Sequence, residues 1–165
     1  MGKWVDGTGT LTVSAQEPTG TAVPPEVVVT PEVTVPPEVV VPLEVAASYR
    51  ARRRGLLGRD GIAGAALLIV RTNSVHTFGM RFAIDVAHLD RSFRVLSVVT
   101  MRPGRLGMIR PRGRHVLEAE AGAMAGWGLR PGARVRVDVE AGPDGTDVTA
   151  GPDGTDVTAG PDRAG

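Results

Sequence analysis

Alternating apolar and polar positions predict strands in several parts of the chain, most clearly in residues 133–139. The valines at 135, 137 and 139 share one face there, and the polar residues at 134, 136 and 138 share the other, because side chains alternate across a strand. Residues 65–70 (Ala-Ala-Leu-Leu-Ile-Val) form an uninterrupted apolar run. Its length fits a strand buried on both faces, although a buried helical segment has the same pattern.

The rest of the pattern predicts a hairpin and several short elements. Residues 78–89 predict one or two strands, residues 90–92 a turn, and residues 93–101 a return strand. Residues 115–118 predict another strand, residues 49–57 a short helix or irregular start, and residues 119–129 a short helix. We therefore predict a mainly β fold, a compact antiparallel β sandwich or barrel-like domain over residues 46–140 with one or two short helices.

The two flanks are predicted to be disordered tails. Residues 1–45 are rich in Pro, Glu and Val, with Pro-Glu-Val at 25–27, 31–33 and 37–39. Proline excludes a helix there and favours an extended linker, although a segment added to a sheet edge is the alternative. Residues 8–13 alternate like a single edge strand. Residues 141–165 repeat the unit Ala-Gly-Pro-Asp-Gly-Thr-Asp-Val-Thr, and two copies are too few to stack into a stable solenoid.

Charge separates the middle of the chain from its ends. Residues 48–140 hold 17 arginines and 7 acidic residues, a balance of +10, whereas residues 1–47 and 141–165 have balances of −5 and −4. Such a field attracts anions, which predicts that the domain binds a polyanion or an acidic protein partner. A coding bias toward arginine would produce the same composition, so a merely solvated basic surface is the alternative.

Several classes of function lack their sequence signals. The chain has no cysteine, which excludes disulfides, thiolate nucleophiles and cysteine-ligated metals. It also lacks the spacings typical of histidine metal sites, phosphate loops and serine nucleophiles, so we predict no metal and no cofactor. The longest uncharged apolar run, residues 61–70, is too short to span a bilayer. We expect a cytoplasmic monomer, or an exported or membrane-associated protein if translation starts further along the chain.

Asp85 is the first candidate for chemistry, because it lies between Ile84 and Val86 in an apolar strand. A buried acid must be paired or hydrogen-bonded, and Arg81 and Arg59 are the expected partners in a structural ion pair. Alternatively, Asp85 and His76 are catalytic candidates as an acid–base pair in a cleft. The candidate binding residues are Arg59, Arg81, Arg102, Arg105, Arg110, Arg112, Arg114 and Glu118.

Six short motifs, in order and spacing, resemble the bacterial domain of unknown function 192 family, DUF192. They are Gly55-Leu56-Leu57-Gly58-Arg59, His76-Thr77-Phe78-Gly79-Met80-Arg81, Ile84-Asp85-Val86 with Leu89-Asp90, Val116-Leu117-Glu118, Ala121-Gly122 and Gly128-Leu129-Arg130-Pro131-Gly132. The chain departs from the family at Gly79, where many members have an aromatic residue, and at Phe82, where many have Asn.

The resemblance implies a compact, mainly antiparallel β fold, and it implies no activity because the family has none assigned. Function is therefore unknown from the sequence. We expect a non-catalytic binding or accessory module with a basic surface, and the alternative is a small enzyme or ligand-binding domain that uses Asp85 and His76.

Overall fold

The structure is a computed structural model that describes residues 4–14, 38–140 and 148–150, the last three through their backbone. It contains two short helices, α1 (Tyr49–Arg54) and α2 (Ala123–Gly126). Its strands are β1 (Gly7–Ser14), β2 (Val39–Ala46), β3 (Ala66–Val70), β4 (Ile84–Leu89), β5 (Val95–Met101), β6 (His115–Glu120), β7 (Arg134–Val139) and β8 (Val148–Ala150). The prediction of a mainly β domain with one or two short helices is confirmed.

The strands form one sheet in the order β5-β4-β6-β3-β2-β1-β7-β8. Every neighbouring pair is antiparallel except β2 and β3, which are parallel and joined through α1. The sheet curls until its distant strands meet at one end, where Val95 N–H donates to Ala133 O and Gly132 N–H donates to Val95 O, each at 2.8 Å. The result is a half-barrel rather than two stacked sheets.

The predicted start of the domain at residue 46 is wrong, because β1 and β2 lie inside the sheet between β7 and β3. Val41, Leu43 and Val45 of β2 are buried, so these three residues of the predicted linker belong to the core. Pro42 is compatible with this strand because pairing with β3 begins only at Leu43, and proline is tolerated where a strand has a free edge.

The predicted tails are only partly covered by the structure. The prediction of disorder is wrong for residues 148–150, since they form β8. This strand pairs with β7, with Ala150 opposite Val137. The rest of both tails, including the Pro-Glu-Val repeat and most of the nine-residue repeat, lies outside the described residues.

Two apolar clusters lie on opposite faces of the sheet, and β3 contributes to both. Leu68 and Val70 face the half-barrel interior, whereas Leu67 and Ile69 face an outer cluster. All five residues of β3 are buried, as predicted for the apolar run. The outer cluster includes Leu56 from the segment after α1, so that segment covers the outer face of the sheet.

Two elements are shorter than predicted. The strand predicted over residues 78–89 begins only at Ile84, because Thr77 holds the preceding segment in a loop. The Oγ1 of Thr77 donates to Arg102 O at 2.7 Å and accepts Arg105 N–H at 2.9 Å. The helix predicted over residues 119–129 is limited to α2, because β6 continues to Glu120.

Candidate functional site

Asp85 is buried in β4 and holds the start of α2. Its Oδ2 accepts the backbone N–H groups of Gly122 at 2.8 Å and Met124 at 3.2 Å, and its Oδ1 accepts the Thr100 hydroxyl at 2.6 Å. These bonds satisfy N–H donors that the first turn of a helix leaves unpaired. Asp85 therefore has a complete structural role on the interior face of the sheet.

The predicted ion pair of Asp85 with Arg81 or Arg59 is wrong, since both arginines bind other acids. Arg59 makes a two-pronged contact with Glu44, with nitrogen–oxygen distances of 2.8 and 2.7 Å. Arg81 contacts Asp60 at 2.7 Å in an exposed pair. Neither arginine reaches Asp85 because Asp85 points into the half-barrel, beside Ala87 and Leu89 of the interior cluster.

His76 is exposed in the loop after β3, where its ring stacks on Phe78 with the centroids 5.5 Å apart. It lines a cleft on the outer face of the sheet, and Asp85 is not part of that lining. The structure thus separates the two residues that the sequence proposed as an acid–base pair.

The cleft has a volume of about 250 Å³ and lies between α1 and residues 71–80. The helix is fixed at its start by the hydroxyl of Ser48, which accepts Ala51 N–H at 3.1 Å. It stops at Gly55, whose φ of 48° favours glycine. This short helix presents its arginines to the cleft, while Leu56, Ile69, Val75 and Met80 supply apolar walls.

Glu118 of β6 lies at the floor of the cleft and is 4% exposed. Its Oε2 has no hydrogen-bond partner within the described part of the chain. Burial raises the pKa of its carboxyl from 4.5 to about 7, because a low-dielectric site disfavours the charged form. A Cβ built on Gly55 would lie in van der Waals contact with this Oε2, at 3.7 Å, so glycine at position 55 places no side chain against the carboxyl.

Cationic side chains surround the mouth of the cleft. Arg53, Arg54 and Arg71 are exposed there, and Arg52 is half-buried. The Arg52 guanidinium is anchored by Nη1, which donates to Val70 O at 3.4 Å. A buried protonatable carboxyl thus lies beneath a positively charged rim.

Residues 102–114, the arginine loop, adjoin the cleft. Gly107 N–H donates to Val75 O at 2.8 Å, and Arg110 N–H donates to Asn73 O at 3.2 Å. Residues 73–75, which carry these two carbonyl acceptors, therefore lie between the arginine loop and α1. The two groups of arginines, which we call the basic face, are Arg52, Arg53, Arg54, Arg71, Arg102, Arg105, Arg110, Arg112 and Arg114.

The salt bridges among the described residues do not involve the basic face, because they join Arg59 to Glu44, Arg81 to Asp60 and Arg136 to Asp138. The same face exposes apolar side chains. Leu106, Met108 and Ile109 of the arginine loop are 73%, 67% and 64% exposed.

Sequence reasoning chose Glu118 and the arginine loop as binding residues and considered Arg50–Arg54 beside that loop as a further basic segment, but it left Arg71 out. The run Arg52-Arg53-Arg54 was a usable signal, since a basic run next to a glycine stop marks one end of a short helix. Its approach to Glu118, more than 60 residues later in the chain, depends on the tertiary structure.

Two kinds of feature are absent from the described residues. Within residues 4–14, 38–140 and 148–150, no group of three or more His, Asp or Glu residues is arranged to hold a metal ion. Over the same residues, no helix has the length and apolar character needed to cross a membrane.

Comparison with known families gives a match over residues 32–137 to the model of DUF192, described as "Uncharacterized ACR". This confirms the resemblance that the six motifs carried. The UPF0127 protein PH1112 of Pyrococcus horikoshii is 41% identical over 49 residues. That alignment covers 30% of this chain and 43% of the relative, so it spans less than half of the relative's length.

Two solved structures have similar folds at low sequence identity. One is from Sinorhizobium meliloti and is described as a "putative transcription regulator", with a TM-score of 0.62, 16% identity and coverage of 82% of this chain and 98% of the other. The other is a protein of unknown function from Novosphingobium aromaticivorans, with a TM-score of 0.57, 16% identity and coverage of 76% and 82%. At this identity the likeness concerns the fold alone.

Proposed function

This chain belongs to the DUF192 family of uncharacterized proteins, and on that premise we propose that it is a non-catalytic binding domain whose basic face binds an acidic protein partner. The observation that carries the proposal is that backbone hydrogen bonds hold the arginine loop against the segment after β3, which lines the cleft together with Arg71 and the arginines of α1. Their positive charge is not neutralised by salt bridges within the described residues. An uncompensated field of one sign accelerates association with partners of the opposite sign.

The exposed apolar side chains favour a protein over a nucleic acid as the partner. Leu106, Met108 and Ile109 project from the loop that also carries five arginines. Arginine and methionine are enriched at protein interfaces, and apolar side chains become anchors when a partner removes them from water. A phosphate backbone would use the arginines and leave these three side chains exposed.

The proposal includes two finer points about the state of the protein. We propose that the domain acts as a monomer in the cytoplasm, with the exported or membrane-associated form as the alternative. Light scattering of the purified chain tests the first point, and fractionation of cells that produce it tests the second.

The direct test is a fluorescence-anisotropy titration of the full chain with two acidic peptides over a salt series. One peptide is polyglutamate, and the other alternates glutamate with leucine at the same net charge. We expect the second to bind more tightly, because leucine side chains can pack on Leu106 and Ile109. The variant Leu106→Ser/Ile109→Ser should remove this difference and leave the polyglutamate affinity unchanged.

Short duplex DNA and heparin serve as competing polyanions in the same assay. Tighter binding of DNA than of either peptide, with a steep salt slope and no response to Leu106→Ser/Ile109→Ser, would replace the protein partner with a nucleic acid. Weak binding of every probe at low salt would reduce the basic face to a solvated surface and end the proposal.

A further inference from the structure

We propose that the cleft between α1 and residues 71–80 binds a small zwitterion, whose ammonium group contacts the Glu118 carboxylate at the floor and whose acidic group contacts the arginines at the rim. This site goes beyond the proposed binding of an acidic protein and does not depend on it. A small-molecule titration can therefore succeed or fail without regard to the protein partner.

The first step of the argument concerns the floor of the cleft. Glu118 is almost completely buried, and its Oε2 lacks a partner among the described residues. An unsatisfied buried polar group destabilises the fold, and it does so more strongly when it is charged. A structure retains such a group where something else satisfies it. A ligand that donates a hydrogen bond to Glu118 would remove this cost.

The second step concerns the rim, which selects against a simple cation. Arg53, Arg54 and Arg71 are exposed at the mouth of the cleft. They repel a lone amine that approaches the floor, since like charges at short range are unfavourable. An amine that carries an acidic group at its other end satisfies both regions at once, because its acid lies beside the guanidinium groups.

The third step concerns size and the surface between the two ends. The volume of about 250 Å³ lies below the range of roughly 300–1,000 Å³ that is typical for drug-sized ligands. Leu56, Ile69, Val75 and Met80 line the walls and suit a short aliphatic chain. Gly55 contributes no side chain that would close the space above the carboxyl. Together these features fit an amino acid with a few methylene groups between its two charged ends.

Proton exchange distinguishes this ligand from a simple anion. Because burial raises the pKa of Glu118 to about 7, roughly half of the molecules carry the proton at pH 7. An ammonium group requires the ionised form, so binding should release about half a proton per ligand. A carboxylate that enters the floor alone requires the protonated form, so its binding should take up about half a proton. Zwitterions and simple anions therefore change the number of bound protons in opposite directions.

The other charged and titratable groups that line the cleft must be considered in the same measurement. They are Tyr49, Arg52, Arg53 and Arg54 on α1, and Arg71 and His76 on the segment after β3. The arginines keep their charge at pH 7. The variant Glu118→Gln preserves all of these groups, so a change in proton exchange in this variant is assigned to Glu118.

The experiment is isothermal titration calorimetry of the full chain at pH 7, in two buffers with different ionisation enthalpies. The probes are γ-aminobutyrate and ε-aminocaproate as zwitterions, with butyrate and butylamine as single-charge controls. We expect one of the zwitterions to bind with release of about half a proton and to bind more tightly than both controls. Charged hydrogen bonds are worth about 1.5–3 kcal/mol, so Glu118→Gln should weaken this binding about 10- to 100-fold and abolish the proton release.

A rim variant completes the design. Arg53→Gln/Arg54→Gln should weaken the zwitterion and leave butylamine no weaker, whereas Arg91→Gln, which changes an exposed arginine outside the cleft, should change neither. The inference is overturned if both zwitterions give no binding heat, if butyrate binds with proton uptake and greater affinity, or if proton release persists in Glu118→Gln. A circular-dichroism melt of each variant verifies that it is folded.

Discussion

Asp85 in the middle of β4 accepts the backbone N–H of Gly122 at 2.8 Å, across 37 residues of sequence. This bond joins the sheet to the start of α2, and the same oxygen also accepts Met124 N–H. Met124 is fully buried in the interior cluster. The carboxylate that the sequence offered as a catalytic candidate therefore positions a helix that closes the core.

Removal of the Asp85 carboxylate should destabilise the fold. In Asp85→Ala, the Gly122 and Met124 N–H groups lose their acceptor, and we expect the free energy of unfolding to fall by about 3 kcal/mol. Asp85→Asn should cost only about 1 kcal/mol, since its amide oxygen can still accept both N–H groups and its NH2 can donate to Thr100. Urea unfolding measures these changes.

The matched control for Asp85 is Asp60→Asn, which removes an acid from a pair that is 66% and 83% exposed at its two side chains. Exposed ion pairs contribute little, so its stability should stay close to that of the wild type. An unchanged stability in Asp85→Ala would show that the hydrogen bonds to α2 are unimportant and would return Asp85 to the list of catalytic candidates.

Glu118→Gln should make the protein more resistant to alkaline pH. The folded carboxyl has a pKa of about 7 against an ordinary value of 4.5, so the folded state binds more protons than the unfolded state between these values. The stability that this group contributes is present below pH 4.5 and is lost as the pH rises through 7. The difference corresponds to about 3 kcal/mol. We expect the free energy of unfolding of Glu118→Gln, relative to that of the wild type, to be higher at pH 8.5 than at pH 5. The same difference between the two proteins at both pH values would contradict a raised pKa of Glu118.

His115 should produce the opposite trend at acid pH. Its ring stacks on Phe93 with the centroids 4.7 Å apart. Burial, assisted by the charge of Arg71, lowers its pKa from 6.5 to about 4. The unfolded state therefore binds the proton first, and stability is lost as the pH falls from 6.5 toward 4.

In the wild type, as the pH falls from 6.5 to 4.5, the stability lost through His115 is opposed by the stability gained through Glu118. His115→Phe removes the histidine contribution, which corresponds to about 3 kcal/mol, and keeps an aromatic ring against Phe93. Thermal melts between pH 4 and 7 should show that the variant loses less stability on acidification. Parallel curves for the two proteins would show that folding leaves the pKa of His115 unchanged.

Deletion of residues 1–45 should prevent folding, because it removes β1 and nearly all of β2 from the middle of the sheet. The deletion would expose the pairing edges of β3 and β7, and exposed strand edges promote aggregation. We expect a chain that is insoluble or lacks a cooperative thermal transition. Deletion of residues 141–165 is the control, because β8 is the one described element that it removes, and a cooperative transition should remain. A cooperative transition in the first deletion would contradict the central position of β1 and β2.

Local pattern alone determined the strands at the core of the fold. The apolar run in residues 65–70 and the alternation in residues 133–139 predicted β3 and β7 because burial on one or both faces leaves a direct mark on residue order. Asp85, an acid within an apolar strand, was identified as unusual for the same reason, and Glu118 was placed among the candidate binding residues. The six motifs were enough to indicate the family.

Only the tertiary structure decided the roles of the buried acids and of the proline-rich segment. The prolines of residues 1–45 concealed β2, because whether a strand tolerates proline depends on which edge has a neighbour, and that is set by the pairing of β2 with β3. The role of Asp85 changed for a similar reason, from a candidate for chemistry to a structural acceptor, whereas Glu118 remains a candidate binding residue. Each is an acid on an apolar strand, but Asp85 faces N–H donors of α2 whereas Glu118 faces an open cleft beneath the arginines of α1. Those partners lie far away in sequence, so residue order could identify the buried charges but not what surrounds them.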